Sequence, residues 1–152
     1  MATNDGSVTT TDVISIDVAP AVTPQNIAPV NHVPTTTQAA TLGSTLGFYY
    51  TTNNNISVSD ADAGSNLETV TLSATNGTIN LAQSLITESG ITFSVGDGIA
   101  DQTMTFSGTV SQVNIALGWV GFNGTSTGAA SLSVATNDGT VTTTDVIDIN
   151  VA

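Results

Sequence analysis

The chain has no lysine and no arginine, so its twelve carboxylates have no side-chain cation to pair with except one histidine. Binding a phosphate backbone depends on cationic side chains that release its counterions, which excludes nucleic acid as a partner. An anionic membrane surface is excluded for the same reason. A formal charge of -12 also makes the compact state repel itself unless dissolved cations gather on it or bind at specific sites. Cysteine is absent, so no disulfide holds the fold together. No run approaches the roughly 20 apolar residues of a membrane helix, and no charged leader precedes an apolar segment, so membrane insertion is not expected.

What remains favours strands. A length of 152 residues suits one core. Leu and Glu, which with Lys and Arg build surface helices, are scarce, whereas Thr, Ser, Asn, Ala and 14 Gly dominate. Short apolar alternations recur at Ile56/Val58, Val70/Leu72/Ala74, Ile79/Leu81, Ile91/Phe93/Val95, Met104/Phe106, Leu132/Val134 and Ile147/Ile149/Val151. Turn signals at Asn76-Gly77, Gly96-Asp97-Gly98 and Asp138-Gly139 separate them, which is the pattern of a β-sandwich. Val110, Val113 and Leu117 recur at helical spacing and predict one short helix. Phe48, Phe93, Phe106, Trp119 and Phe122 are the expected core anchors. In the last strand Thr143 and Asp145 share parity with the inward Ile147 and Ile149, which predicts a bulge near Asp145 or early exposure of that strand end.

The strongest feature is an internal repeat. Residues 2–19 (ATNDGSVTTTDVISIDVA) and 135–152 (ATNDGTVTTTDVIDINVA) differ at only three positions, Ser7/Thr140, Ser15/Asp148 and Asp17/Asn150. Near-identity at an offset of 133 residues reads as a piece of a tandem array, with Met1 an added start. The domain reading follows: residues 1–19 an orphan C-terminal strand of a preceding repeat, 20–25 a Pro-rich linker, and 26–152 one complete sandwich. The C-terminal copy predicts a hairpin, Ala130–Ala135 turning at Asn137-Asp138-Gly139 into Val141–Val151. The N-terminal copy holds only the turn and the returning strand, so it is expected to be disordered or paired with another chain.

The runs ISVSDADAGSNLETVTLSATNGTINL and GITFSVGDGIADQTMTFSGTVSQVNIAL, followed by the SLSVATNDG hairpin, resemble bacterial cadherin-like repeats of giant surface adhesins and secreted repeats-in-toxin proteins. The likeness covers about residues 26 to 151. It implies an all-β, Greek-key β-sandwich of the cadherin or immunoglobulin kind, strung in copies outside a bacterial cell, with calcium at the junctions. Asp60-Ala61-Asp62 is similar to the family's Asp-x-Asp loop, Asn26-Ile27-Ala28-Pro29 to its linker motif, and Ala135-Thr136-Asn137-Asp138-Gly139 to the loop before its last strand. The sequence departs from the family where an acidic residue is expected in the first strands; Gln38 stands there.

The residues themselves allow two readings of these positions. Calcium takes six to eight oxygens, and Asp60 and Asp62 can face one ion if their loop curls, with Asn137 or Asp138 completing the shell. Asp and Asn also favour turns through side-chain to backbone hydrogen bonds, and Asp97 and Asp101 are read that way. The candidate metal ligands are therefore Asn26, Asp60, Asp62, Asn137 and Asp138.

No enzyme is expected. A Ser-His-Asp set would need His32 beside a nucleophile and an orienting acid, and between Asn31 and Val33 it reads as a linker or edge-strand residue. Glu68 and Glu88 would serve as a glycosidase pair only with an aromatic-lined cleft, for which Tyr49, Tyr50 and Trp119 are the available rings. Asn55, Asn76 and Asn123 begin Asn-x-Ser/Thr sequons, which matter only on a glycosylating secretory route. Three functions follow: a structural extender of an extracellular adhesin or filament, stiffened by calcium between neighbouring copies; a surface-layer module polymerising as a homo-oligomer by exchange of the N-terminal strand; and a glycan- or surface-binding module, which would need an exposed aromatic cluster.

Overall fold

Alternation of apolar and polar residues produces strands of matching period in a computed structural model, which describes residues 2–19 and 25–152. The strands are β1 (Ala2–Asn4), β2 (Thr9–Thr11), β3 (Val30–His32), β4 (Gln38–Ala40), β5 (Thr45–Phe48), β6 (Ser57–Ser59), β7 (Glu68–Thr75), β8 (Gly77–Leu81), β9 (Thr92–Val95), β10 (Thr103–Gly108), β11 (Val120–Gly124), β12 (Gly128–Asn137) and β13 (Thr142–Val151). Two helices, α1 (Gln83–Ser89) and α2 (Val110–Ala116), and a 3-10 turn at Tyr50–Thr52 complete the elements. A six-stranded sheet runs β4-β13-β12-β7-β10-β9, a three-stranded sheet β5-β11-β8 and a two-stranded sheet β3-β6. All pairings are antiparallel except β13 with β4. Val70, Leu72, Phe106, Leu132, Val134, Ile147 and Ile149 of the large sheet meet Phe48, Val58, Ile79, Val120 and Phe122 of the others in one buried core. The protein is an all-β sandwich.

Four local readings change. The described residues form two helices rather than one. α1 carries β-branched residues and no side-chain N-cap on Ala82, and it ends on Gly90 in the left-handed conformation, φ 68°. Its only strong sequence signal is that terminal glycine. α2 has the stronger signature, a capping box in which Gln112 N–H donates to the Thr109 hydroxyl and Thr109 N–H donates to Gln112 Oε1 at 2.9 Å. Asn114 on α2 then exchanges two 2.8 Å hydrogen bonds with the backbone of Val58, tying the helix to β6.

Trp119 is not a core anchor. It is half-buried and precedes the inward Val120, so strand alternation turns it outward, where its indole lies over Gly121. Phe93 is only partly buried, packed on the core's edge, while Phe48, Phe106 and Phe122 are fully enclosed.

The last strand has no bulge. β12 and β13 pair without a shift from Gly128↔Val151 to Asn137↔Thr142, and Thr143 and Asp145 do face inward, half-buried. They are tolerated because β3 and the residue before it offer polar partners: Thr143 hydroxyl donates to Pro29 carbonyl at 2.6 Å, and Asn31 Nδ2 donates to Asp145 Oδ2 at 3.1 Å.

The N-terminal copy finds a partner in itself. β1 and β2 pair Ala2↔Thr11, Thr3↔Thr10 and Asn4↔Thr9, the same register as Ala135↔Thr144, Thr136↔Thr143 and Asn137↔Thr142 in the sandwich. The turn bonds are duplicated as well. Gly6 N–H donates to Asn4 Oδ1 at 2.6 Å as Gly139 N–H does to Asn137 at 2.8 Å, and both glycines hold a positive φ, 96° and 95°. The tip therefore folds from local sequence alone. Every residue from Ala2 to Ala19 remains exposed. The Pro-rich linker expected at 20–25 lies outside the described residues except Gln25.

Candidate functional site

Four of the five expected metal-binding residues converge. A polar cavity of about 50 Å³ is lined by Asn26, Asp60, Asp62, Ala63, Asn66, Glu68 and Asp138. Three local motifs build it. Asp60 Oδ1 accepts the Asp62 N–H at 3.0 Å, which curls the Asp-x-Asp loop. Asp138 uses Oδ1 to accept N–H donors from Thr140 and Val141 at 2.6 and 2.7 Å, leaving Oδ2 free of the turn. The segment entering the sandwich then closes over both: Asn26 Nδ2 donates to Asp138 Oδ2 at 2.8 Å, and Ile27 N–H donates to both Asp62 oxygens at 3.2 Å. The Asn26 amide, followed by the turn N–H groups, holds the Asp138 carboxyl below the usual range.

Asn137 does not line the cavity. Its side chain accepts from Gly139 N–H and donates to Val141 carbonyl and Thr142 hydroxyl. Asn4 bonds Gly6 and Thr9 in the same way in a hairpin without any such cavity, so the turn alone accounts for it.

The residue that sequence reasoning left out of the metal set is Glu68, which it weighed only as a glycosidase carboxylate with Glu88. It is fully buried, and neither carboxylate oxygen has a hydrogen-bond partner. Burial, and then the charges of Asp60, Asp138 and Asp62, push its pKa up from the ordinary glutamate range to about 7. A buried carboxylate without a partner is a costly arrangement that calls for a proton or a cation. The signal was present in the strand parity, because Glu68 shares the inward face with Val70, Leu72 and Ala74. The donor set is all oxygen, which fits a hard cation such as calcium, although no three acidic or imidazole groups among the described residues stand in ready-made ligand geometry.

A second, larger groove of about 440 Å³ lies between Asn31–Thr35, Asn53–Asn55 and Asp145. His32 sits on its wall with Nε2 2.9 Å from Ser59 Oγ. Among the described residues no carboxylate bonds the ring's other nitrogen, and Asp145 is engaged by Asn31. Asp97 and Asp101 serve turns: Asp101 Oδ2 accepts from Asp97 and Gly98 N–H at 3.0 and 2.8 Å. No helix among the described residues is long and apolar enough to cross a membrane.

No family model and no curated protein matches the chain. Among solved structures it is similar to S-layer protein SbsC domains 4 and 5, at 13% identity and a TM-score of 0.40, over 84% of this chain and 54% of that one, about half its length. It is similar to a cohesin module of a Clostridium perfringens family 33 glycoside hydrolase, at 9% identity and 0.41, over 84% and 100% of the two chains. A chimeric titin Z1Z2 gives 14% identity and 0.32, over 85% and 98%. At these scores the architecture rests on the strand order and register above.

Proposed function

We propose that this chain is a structural, non-catalytic spacer module of an extracellular bacterial surface protein, and that it binds calcium at the pole where the chain enters the sandwich. The observation that carries this reading is the fully buried, unpartnered Glu68 carboxylate beside Asp60, Asp62 and Asp138. Carboxylates of these four, with the side-chain oxygens of Asn26 and Asn66, would hold the ion. Calcium would supply the positive charge that a chain without lysine or arginine lacks. Because Asn26 and Ile27 already bond Asp138 and Asp62, fixing those carboxylates also fixes the direction in which the entering segment leaves the sandwich. That is what stiffening a joint requires. Melting should report it: calcium at about ten times its Kd stabilises by about 1.4 kcal/mol, a rise of roughly 3–6 °C over the chelated protein. An unchanged midpoint at millimolar calcium, matched by an unchanged Glu68→Gln variant, would reject the site.

The duplicated strand supports a second reading, assembly by exchange. Residues 12–18 repeat residues 145–151, and both differences within that stretch, Ser15/Asp148 and Asp17/Asn150, fall at exposed positions of β13. Ile14, Ile16 and Val18 are 78–81% exposed, whereas their counterparts Ile147, Ile149 and Val151 are buried. The copy cannot serve its own sandwich. β13 spans roughly 30 Å, and the eight residues from Val18 to Asn26 reach at most about 29 Å, while Asn26 is bonded beyond the far end of β13. Exchange with a second molecule is like for like, so contacts cancel and association opposes it by about 4 kcal/mol or more. It therefore needs copies held close together, as on a surface. Mixing Ser15→Cys with Ser131→Cys chains, melting, cooling and oxidising them is expected to trap a covalent heterodimer, since Asp148, the counterpart of Ser15, faces Ser131. A Thr87→Cys control that crosslinks equally well, or no heterodimer, would end this reading.

A further inference from the structure

The outer face of the three-stranded sheet carries an arrangement that neither the core nor the calcium site uses. In the β5–β11 pairing Phe48, Val120 and Phe122 point into the core, so Thr45 and Gly47 of β5 and Gly121 and Asn123 of β11 point outward. Tyr49 and Trp119 continue that outward register just beyond the strand ends, opposite one another, and both are half-buried. Each ring lies down along its strand over a glycine. A Cβ on Gly47 would fall 2.6 Å from Tyr49 Cε1, and one on Gly121 would fall 2.6 Å from Trp119 Cη2. Neither glycine has a positive φ, so room for the rings, not backbone freedom, is what glycine provides here. The strands are antiparallel, and therefore both rings lean in the same direction across the outer face of the sheet, each partly exposed.

Covering two glycines stabilises the sheet, which accounts for the inner faces of the rings. It does not account for the polar groups around the outer ones. Thr45 hydroxyl donates to Asn123 Oδ1 at 2.6 Å, leaving the Asn123 amide N–H groups unbound. On β8, Asn80 faces Gly121 and accepts the Ala100 N–H through Oδ1 at 2.8 Å, leaving its own N–H groups unbound, and Thr78 faces Asn123. The result is a pair of half-buried aromatic rings on an outer sheet face, bordered by amide donors and a hydroxyl.

We propose that this face binds a neutral polysaccharide, with sugar rings stacked on Trp119 and Tyr49 and sugar hydroxyls held by Asn80, Asn123 and Thr78. A pyranose has an apolar face of C–H groups that carry partial positive charge, which suits the negative face of an aromatic ring, and a rim of hydroxyls that suits amides. Nucleobases also stack, but their phosphates would meet a chain of charge -12 without one lysine or arginine. The same repulsion disfavours uronate and phosphate polymers, which leaves uncharged glycans. This inference is independent of the calcium site and of strand exchange.

Trp119 is the only tryptophan in the chain, so its fluorescence reports this face directly. Titrating the intact protein with cellohexaose, chitohexaose, dextran and polygalacturonate is expected to give a saturable change in emission with at least one neutral sugar and none with polygalacturonate. Tyr49→Ala should weaken that binding about tenfold, and Asn123→Ala several-fold, with the melting midpoint of the latter unchanged. Silence with every neutral sugar up to its solubility limit overturns the proposal. So does equal binding of polygalacturonate, or a Tyr49→Ala variant that remains folded and binds as tightly as the parent.

Discussion

Replacing Asn31 by alanine is expected to destabilise the protein by about 3 kcal/mol, a fall of roughly 6–12 °C in melting midpoint. Asn31 is 8% exposed and joins three strands through one side chain. Its amide N–H groups are shared among Val134 carbonyl, Thr143 carbonyl and Asp145 Oδ2, each at 3.1 Å, and its Oδ1 accepts from the buried Thr136 hydroxyl at 2.6 Å. Truncation removes these bonds and leaves the buried Thr136 hydroxyl without its partner, which is costlier than losing an exposed contact. Thr136→Val in the Asn31→Ala background should add less than it does alone, with a coupling of about 1 kcal/mol measured by chemical denaturation. A loss below about 1 kcal/mol would mean that solvent reaches this network.

The second large effect concerns acidity. In chelator, the protein is expected to gain stability as pH falls from about 8 to about 5, by about 2 kcal/mol or somewhat less. Glu68 has a folded pKa raised to about 7 from 4.5, so between those values the folded state binds the proton that the unfolded state has released. Stability is then fully present below the unfolded pKa and lost as pH rises through the folded one. The full separation corresponds to about 3.4 kcal/mol, of which the span from pH 8 to pH 5 samples only part, and solvent screening at the exposed Asn26 and Asp62 beside the buried carboxyl reduces it further. Asp138 works in the opposite sense, because its carboxyl is held below the ordinary 3.8 by the Asn26 amide and the turn N–H groups; its contribution is lost only as pH falls below about 4. Glu68→Gln should flatten the trend between pH 5 and 8 and make the protein more stable than the parent at pH 8. Saturating calcium should reverse the slope for the parent alone, because an ion and a proton compete for the same carboxylate. Denaturation midpoints across pH, with and without calcium, test all three.

The candidate site was legible in part, for identifiable reasons. Asp60, Asp62 and Asp138 belong to turns whose geometry comes from neighbouring backbone N–H groups, so their loops can be recognised in the residue string. Glu68 was weighed only as half of a glycosidase pair with Glu88, although its parity with Val70 and Leu72 marks it as inward, because nothing in the residue string shows what lies over it. What lies over it comes from residues far away in sequence, Asn26 and Asp138 among them. Asn31 was missed for the same reason: its partners are Val134, Thr136, Thr143 and Asp145, more than a hundred residues on. The polar parity of Thr143 and Asp145, which suggested a bulge, was in fact the trace of that network.

By itself, the amino-acid order settles what short-range chemistry can settle. Period-two alternation makes the strands, the capping box makes α2, and the Asn-Asp-Gly turn makes the same hairpin tip twice, once inside the sandwich and once outside it. Only the tertiary structure decides which strand lies beside which, that Trp119 covers a glycine on the outside instead of filling the core, and that four carboxylates from three stretches of chain share one small cavity. Hydrogen-bonded turns and side-chain periodicity act over a few residues. Burial, desolvation and charge repulsion depend on distances in space, which come into being only when the sheets close on one another.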